Sequence, residues 1–371
     1  MSEKEIDLIR SVDSSIEKVR TKSLDVSFNE LYDMYSSSEL IIDPEYQRLF
    51  RWSDEKQSQF IESLILEMPT PPIFVIEKKE GVYELIDGLQ RISSYLHFRG
   101  ILPHIDDVDQ HLELTGCDIV KALNGFTFDT LPTTLKIRLK RSFIRMEVIR
   151  SNSDDRLKYH MFKRLNTGGE LLSDQEIRNC TIRIFDNKFN DFIIEMSKNE
   201  DFINCIAFID EDLISKKYDQ ELVLRFFSLK NNRYNFKNNL SDFLTSYMEK
   251  ITIKELDFNY DNEKLIFNKT FAVLNKSLDK YAFSRINQHG NTVATFLPYY
   301  FEAISLGIIN YIDKIDINNQ TLLDDIQLKI MEVKKTDEFK RITSGGGKTK
   351  KTALIKRIEF VNTALGDLFN G

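Results

Sequence analysis

Asp87, Gln90, Arg91 and Ser93 fall within a stretch of seven residues, directly after the extended-favouring run Tyr83-Glu84-Leu85-Ile86 and around a single glycine, Gly88. Asp-Gly reads as a tight turn between a strand and a segment of helical spacing. A strand that turns sharply into a helix sets unpaired backbone N–H groups beside a fixed cation, which makes an anion site if the corner is open. Asp87 could hold a metal there or orient Arg91. Equally, an Asp87–Arg91 pair could do no more than close the corner.

The elements that must position these residues can be read on either side. Phe28 to Tyr35 has loose helical spacing. In Asp43-Pro44-Glu45-Tyr46-Gln47-Arg48, the proline restrains its own φ and biases Asp43 toward extended geometry, which suits a rigid loop presenting Gln47 and Arg48. Ser53 can cap a helix to about Glu67, with Phe60, Ile61, Leu64 and Ile65 on its buried stripe. Pro69, Pro71 and Pro72 stop it. Ile73 to Ile76 reads as a strand, antiparallel to Tyr83–Ile86 across a turn, which brings Asp87 and Arg91 to a sheet edge. The helix from Gln90 to about Phe98 should end at Gly100.

Residues 101–130 suggest an insertion with short helices. Thr134 to Leu139 alternates Leu135, Ile137 and Leu139 with Lys136, Arg138 and Lys140, so it reads as a strand, as does Phe143 to Ile149. Between Lys136 and Arg164 ten basic residues stand against three acidic ones, either a phosphate-facing stripe, in which Lys136, Arg138 and Lys140 would bind nucleic acid, or a solvated face. Asp155 to Leu165 should be helical and leads to Asn166-Thr167-Gly168-Gly169. Ser173 and Glu176 have capping-box spacing for a helix that carries Arg178 and Asn179. Asn166 and Arg178 have no comparable structural explanation.

From about residue 187 the pattern becomes helical, with periodic segments near 187–198, 217–229, 238–249, 262–284, 292–312 and 320–335, and an amphipathic closing helix at 351–368. The aromatics there, Phe226, Phe227 and Tyr247 among them, are most simply core. Thr343-Ser344-Gly345-Gly346-Gly347-Lys348-Thr349 is not a P-loop, because Ile342 stands where the first glycine belongs. It does sit in a second basic region, Lys329 to Arg357, again with ten basic residues against three acidic ones. Lys348, Lys350 and Lys351 could touch phosphate from this loop.

Composition bounds the alternatives. A chain of 371 residues, 42% hydrophobic and 29% charged, with 27 Phe and 14 Tyr, has material for two cores. A net charge of -7 excludes a histone-like, uniformly basic binder but not a local nucleic-acid channel. Cys117, Cys180 and Cys205 show no paired spacing, so a reduced, cytoplasmic setting is expected. No signal-peptide pattern or membrane span is apparent, so no membrane partner is expected.

Taken together, Pro44-Glu45-Tyr46-Gln47-Arg48 with Trp52, Asp87-Gly88-Leu89-Gln90-Arg91-Ile92-Ser93, Phe162-Lys163-Arg164-Leu165-Asn166-Thr167-Gly168-Gly169-Glu170 and Glu176-Ile177-Arg178-Asn179 resemble, in order, the N-terminal domain of GmrSD-type modification-dependent restriction endonucleases. That family is related in fold to the ParB/sulfiredoxin group. The resemblance implies an α+β chain: a ParB/sulfiredoxin-like small mixed-sheet domain over 1–185, then a mostly α-helical domain over 186–371 with a basic glycine-rich loop near 344–351. It implies binding and hydrolysis of a nucleoside triphosphate with Mg2+, coupled to sensing, cutting or nicking DNA in antiphage defence. Asp87 would position metal or water, and Gln90 and Arg91 would meet the nucleotide phosphates. Gln47 and Arg48 would converge from the preceding loop, Asn166 would complete the pocket, and Arg178 would steady the loop or reach phosphate.

The sequence departs from the family twice. Leu89 stands where the signature usually has its first Gln. The His-Asn-His nuclease domain of many relatives has no counterpart, and the five His, at 97, 104, 111, 160 and 289, lack metal-binding spacing. The alternative to an NTPase or DNA endonuclease is therefore a non-catalytic DNA-binding or regulatory subunit, working with a separate nuclease or as a homo-oligomer. A protein-interaction subunit with a purely structural Asp87–Arg91 pair is a third reading.

Overall fold

The computed structural model describes residues 3–16, 20–42, 50–102, 111–154, 161, 173–237, 239–287, 289–344 and 347–369. The chain divides into two compact units, Met1–Leu172 and Ser173–Gly371. It is α+β: a mixed sheet in the first unit, helices through the second. No helix among the described residues is long and apolar enough to cross a membrane.

The first unit has helix α1 (Glu3–Ile16), strand β1 (Thr21–Ser27), α2 (Phe28–Ser36), β2 (Leu40–Ile41), α3 (Asp54–Ile65), β3 (Ile73–Lys79), β4 (Val82–Asp87), α4 (Leu89–Phe98), α5 (Thr133–Arg141) and β5 (Phe143–Ile149). The sheet order is β1-β5-β3-β4-β2. β1 is antiparallel to β5, β5 parallel to β3, β3 antiparallel to β4 and β4 parallel to β2. Alternation on β5 is strict at its start: Ile144, Met146 and Val148 are buried, while Phe143 and Arg145 are exposed. Such a period-two pattern gives the sheet one core face. The stripe of α3 is the expected Phe60, Ile61, Leu64 and Ile65, all buried, and α3 packs against α4. Ser53 caps α3 by accepting from the Lys56 N–H, and Gly100, at φ 70°, ends the α4 turn.

The expected strand at Thr134–Leu139 is instead helix α5. Its charge alternation was a misleading period. Leu139 is buried and Leu135 half-buried while Ile137 between them is exposed; a strand would put all three on one face, and a helix does not. Pro132 then starts the helix, its carbonyl accepting from the Leu135 and Lys136 N–H groups.

The second unit begins with α6 (Asp174–Ile182), started by the expected capping box: Glu176 N–H donates to Ser173 Oγ at 3.2 Å and Ser173 N–H to Glu176 Oε2 at 2.8 Å. There follow α7 (Lys188–Ser197), α8 (Glu200–Cys205), α9 (Glu211–Ser215), α10 (Tyr218–Asn232), α11 (Leu240–Thr252), α12 (Tyr260–Leu278), α13 (Pro298–Gly307), α14 (Gln320–Lys335), α15 (Asp337–Thr343) and α16 (Lys351–Gly366). Phe226, Phe227, Phe267, Phe271, Phe283 and Phe301 are fully enclosed at its centre, and their rings meet mostly edge to face or tilted.

Lys334 of α14 is buried in this unit and donates to the Tyr281 carbonyl at 2.9 Å. Desolvation pushes its pKa down from 10.5 to about 7. An unfolded lysine titrates near ~10.4, so between about pH 7 and 10 the unfolded chain binds the extra proton and stability rises with pH. The burial cost, on the order of 4 kcal/mol, is fully present below that window and relieved above it. Urea midpoints from pH 6.5 to 9.5 are expected to climb, and Lys334→Met is expected to flatten that climb.

Candidate functional site at the strand–helix corner

β4 ends at Asp87, paired opposite Phe74 of β3, and α4 begins at Leu89. Only Gly88 separates them, at φ 105° and ψ 13°, a left-handed backbone that L side chains rarely adopt. A Cβ there would lie 2.4 Å from Ile73 Cγ2. Gly88→Ala is expected to cost about 2–4 kcal/mol, combining backbone strain with overpacking against β3. A loss of unfolding free energy in urea of less than about 0.5 kcal/mol would show that the corner is not held in this form.

The corner brings Arg91 back over Asp87. Arg91 Nη2 donates to Asp87 Oδ2 at 3.0 Å and to the Pro72 carbonyl at 3.0 Å. Both side chains remain partly accessible, 18% for Arg91 and 31% for Asp87. Arg91 Nε and Ser93 Oγ are buried without hydrogen-bond partners among the described residues. The first N–H groups of α4 have no intrahelical acceptors and carry the positive end of the helix dipole. The result is a corner with spare donors and a fixed cation.

Gln90, expected at the nucleotide phosphates, has a structural role that its sequence position did not reveal. Its Oε1 accepts from the backbone N–H groups of Arg51 (3.0 Å) and Trp52 (3.1 Å). From the other side, Gln57 Nε2 donates to the Trp52 carbonyl at 2.8 Å, while Gln57 Oε1 pairs with His97 Nδ1 at 2.8 Å. Residues 51 and 52 are thus tied to both α3 and α4. Gln47, Arg48 and Asn166 lie outside the described residues. Leu89, the expected departure from the signature, is buried; in this chain the position packs the core.

Arg178, expected to steady a loop or reach phosphate, is enclosed in the second unit. Its Nε donates to Thr245 Oγ1, Nη1 to Gln175 Oε1 and Glu221 Oε2, and Nη2 to Ser241. Its donors are consumed in joining helices α6, α10 and α11.

The basic residues of α5 are distributed around its axis. Lys136 Nζ donates to the Asp129 carbonyl and Arg138 pairs with Glu67 at 3.6 Å; Lys140 is half-buried. Arg138 also lines a groove of about 780 Å³ with Arg141, Arg145, Phe143, Glu67 and Asp25. In the second unit, Lys348 Nζ lies 5.2 Å from the Tyr299 ring centre, Lys350 precedes α16 and Lys351 reaches the Tyr234 carbonyl.

Other chemistries find little support. Among the described residues, no group of three or more His, Cys, Asp or Glu is placed to hold a metal. Cys117 and Cys205 are buried, and desolvation pushes both thiols upward, Cys117 to about 11, away from the thiolate that nucleophilic catalysis needs.

No curated protein and no solved structure matches the chain. Residues 28–183 match the family model described as GmrSD restriction endonuclease, N-terminal domain. The match runs from the start of α2 to just past α6 and takes in the whole Asp87–Arg91 corner. Over residues 28–183, therefore, the chain is similar to the N-terminal domain of the GmrSD restriction endonuclease family.

Proposed function

We propose that the protein binds a nucleoside triphosphate at the Asp87–Gly88–Arg91 corner, hydrolyses it, and couples the reaction to sensing or nicking DNA. The observation that carries this reading is the corner itself: Arg91 held beside a helix N-terminus, with its Nε buried and unpartnered. The phosphates would lie against the α4 N–H groups and the Arg91 guanidinium. Arg91 would offset the negative charge that grows on the phosphoryl oxygens as water attacks. Gln90, by holding residues 51 and 52, would position the segment before them, which carries Gln47 and Arg48.

Asp87 is the one acidic residue of the corner motif. A single protein carboxylate suits Mg2+, which usually retains several waters and takes its remaining ligands from substrate phosphates. When bound, the ion would neutralise charge on those phosphates. DNA would contact the groove beside Arg138, Arg141 and Arg145, Lys136 and Lys140 of α5, and the lysines at 348, 350 and 351, chiefly through its backbone.

The test is phosphate release by the full chain from each nucleoside triphosphate, with Mg2+ and with or without DNA. Release that requires Mg2+ is expected. The bonds that Arg91 makes to Asp87 and Pro72 favour a second reading, in which the corner is structural and the protein is a non-catalytic DNA-binding subunit of a separate nuclease. No release with any triphosphate, together with DNA binding that weakens steeply with salt, would establish that second reading.

A further inference from the structure

The helical unit contains a buried charge chain that does not balance. Arg178 pairs with Glu221 at 3.2 Å, Glu221 with Arg225 at 3.0 Å, Arg225 with Glu302 at 3.3 Å and Glu302 with Arg357 at 2.9 Å. Three guanidiniums therefore share two carboxylates. Asp174 approaches Arg178 only from the surface, at 3.9 Å and 59% exposed. The excess falls at the Arg357 end.

Arg357 is 2% exposed. Its Nη2 donates to the Lys348 carbonyl at 2.9 Å, and its guanidinium stacks 4.5 Å from the Tyr299 ring centre. Its Nη1 is buried with no hydrogen-bond partner among the described residues. Nε is close to Glu302 Oε2, but neither atom makes a directed hydrogen bond, so that contact is Coulombic only. A buried donor left without an acceptor costs about 1–3 kcal/mol, more when it is charged. Desolvation also lowers the guanidinium's hold on its proton, while Glu302 opposes that change.

Arg357 also lines a cavity of about 190 Å³. Arg357, Arg225 and the Glu302 carboxylate between them contribute its charged wall, with one cation in excess, Phe236 and Leu354 an apolar wall, Tyr299 an aromatic one, and the exposed Thr349 part of its rim. An apolar cavity of roughly 150 Å³ accepts a benzene ring, so this one has room for a single ring with one small substituent. A neutral apolar guest would leave Nη1 unsatisfied. A guest carrying a negative group would supply the missing acceptor and balance the third guanidinium.

We infer that this cavity is a binding site for a small aromatic anion, its ring against Phe236, Leu354 and Tyr299 and its carboxylate or phosphate on Arg357. The site belongs to the helical unit and shares no residue with the Asp87–Arg91 corner, so the failure of either reading leaves the other intact.

The experiment is calorimetric titration of the full chain with benzoate, phenyl phosphate and neutral benzamide. At least one of the two anions is expected to bind saturably and benzamide about tenfold or more weakly, the scale of one charge-assisted hydrogen bond. Arg357→Met is expected to weaken anion binding about tenfold or more on the same scale. Thr349→Trp, at the exposed rim, is expected to block entry while leaving the melting temperature of the ligand-free chain unchanged. If Arg357→Met does not fold, the benzamide comparison and Thr349→Trp decide the matter. Absence of saturable binding by both anions, equal binding of benzamide, or anion binding undiminished in the folded variants would overturn the inference.

Discussion

Arg91→Ala is expected to lower phosphate release from nucleoside triphosphate by about 10²–10³-fold, the scale seen when one preorganised charge-stabilising group is removed. The same change takes the donor from the Pro72 carbonyl and the ion-pair partner from Asp87. A stability loss of about 1–3 kcal/mol is therefore expected alongside the loss of activity. The two effects separate because the corner rests on more than Arg91: β3 and β4 remain paired, and Leu89 and Ile92 anchor α4 in the core. Phosphate release measured well below the melting temperature, with a urea curve on the same sample, distinguishes them. Arg91→Lys retains a charge near Asp87 but loses the planar fork, so it is expected to recover stability more than turnover. A folded Arg91→Ala protein with undiminished turnover would remove this residue from the chemistry.

Glu302→Ala is expected to be the most destabilising single change in the helical unit, by about 3–5 kcal/mol. Glu302 is the only carboxylate contacting Arg357 and one of the two contacting Arg225, among the described residues. Its side chain is 4% exposed, those of Arg225 and Arg357 8% and 2%. Truncation leaves two guanidiniums facing each other in low dielectric, with water unable to replace the lost charge. Pairing Glu302→Ala with Arg357→Met removes one of those cations, so the double variant is expected to be more stable than Glu302→Ala alone. Urea midpoints of the wild type, both single variants and the double variant give the coupling directly. Additive losses would show that Arg357 and Glu302 do not depend on one another.

Much of the frame was legible in the sequence. The β3–β4 hairpin, the Ser53 and Ser173 caps and the apolar stripe of α3 follow from local rules: proline and glycine stops, capping spacing and periodicities of 2 and 3.6. The helical second unit was readable for the same reason, since its long segments repeat the pattern over many turns. At Thr134–Leu139 the sequence carried two periods at once. Burial of Leu139 with Ile137 left exposed in the tertiary structure decided for the helix.

The Asp87–Gly88–Arg91 corner shows where this boundary lies. The sequence by itself determined a strand to about Ile86, a turn at Asp87-Gly88 and a helix from about Gln90, so that Arg91 falls one turn from the carboxylate, because those are properties of adjacent residues. Only the tertiary structure decided that Pro72 closes the corner, that Ile73 leaves no room for a Cβ at Gly88, and that Gln90 pins Arg51 and Trp52. It likewise moved Arg178 into a buried network and set Arg357 beside a cavity. A guanidinium is equally suited to carboxylate, phosphate and backbone carbonyl, so its partner is chosen by whatever distant segment folding brings within 3 Å.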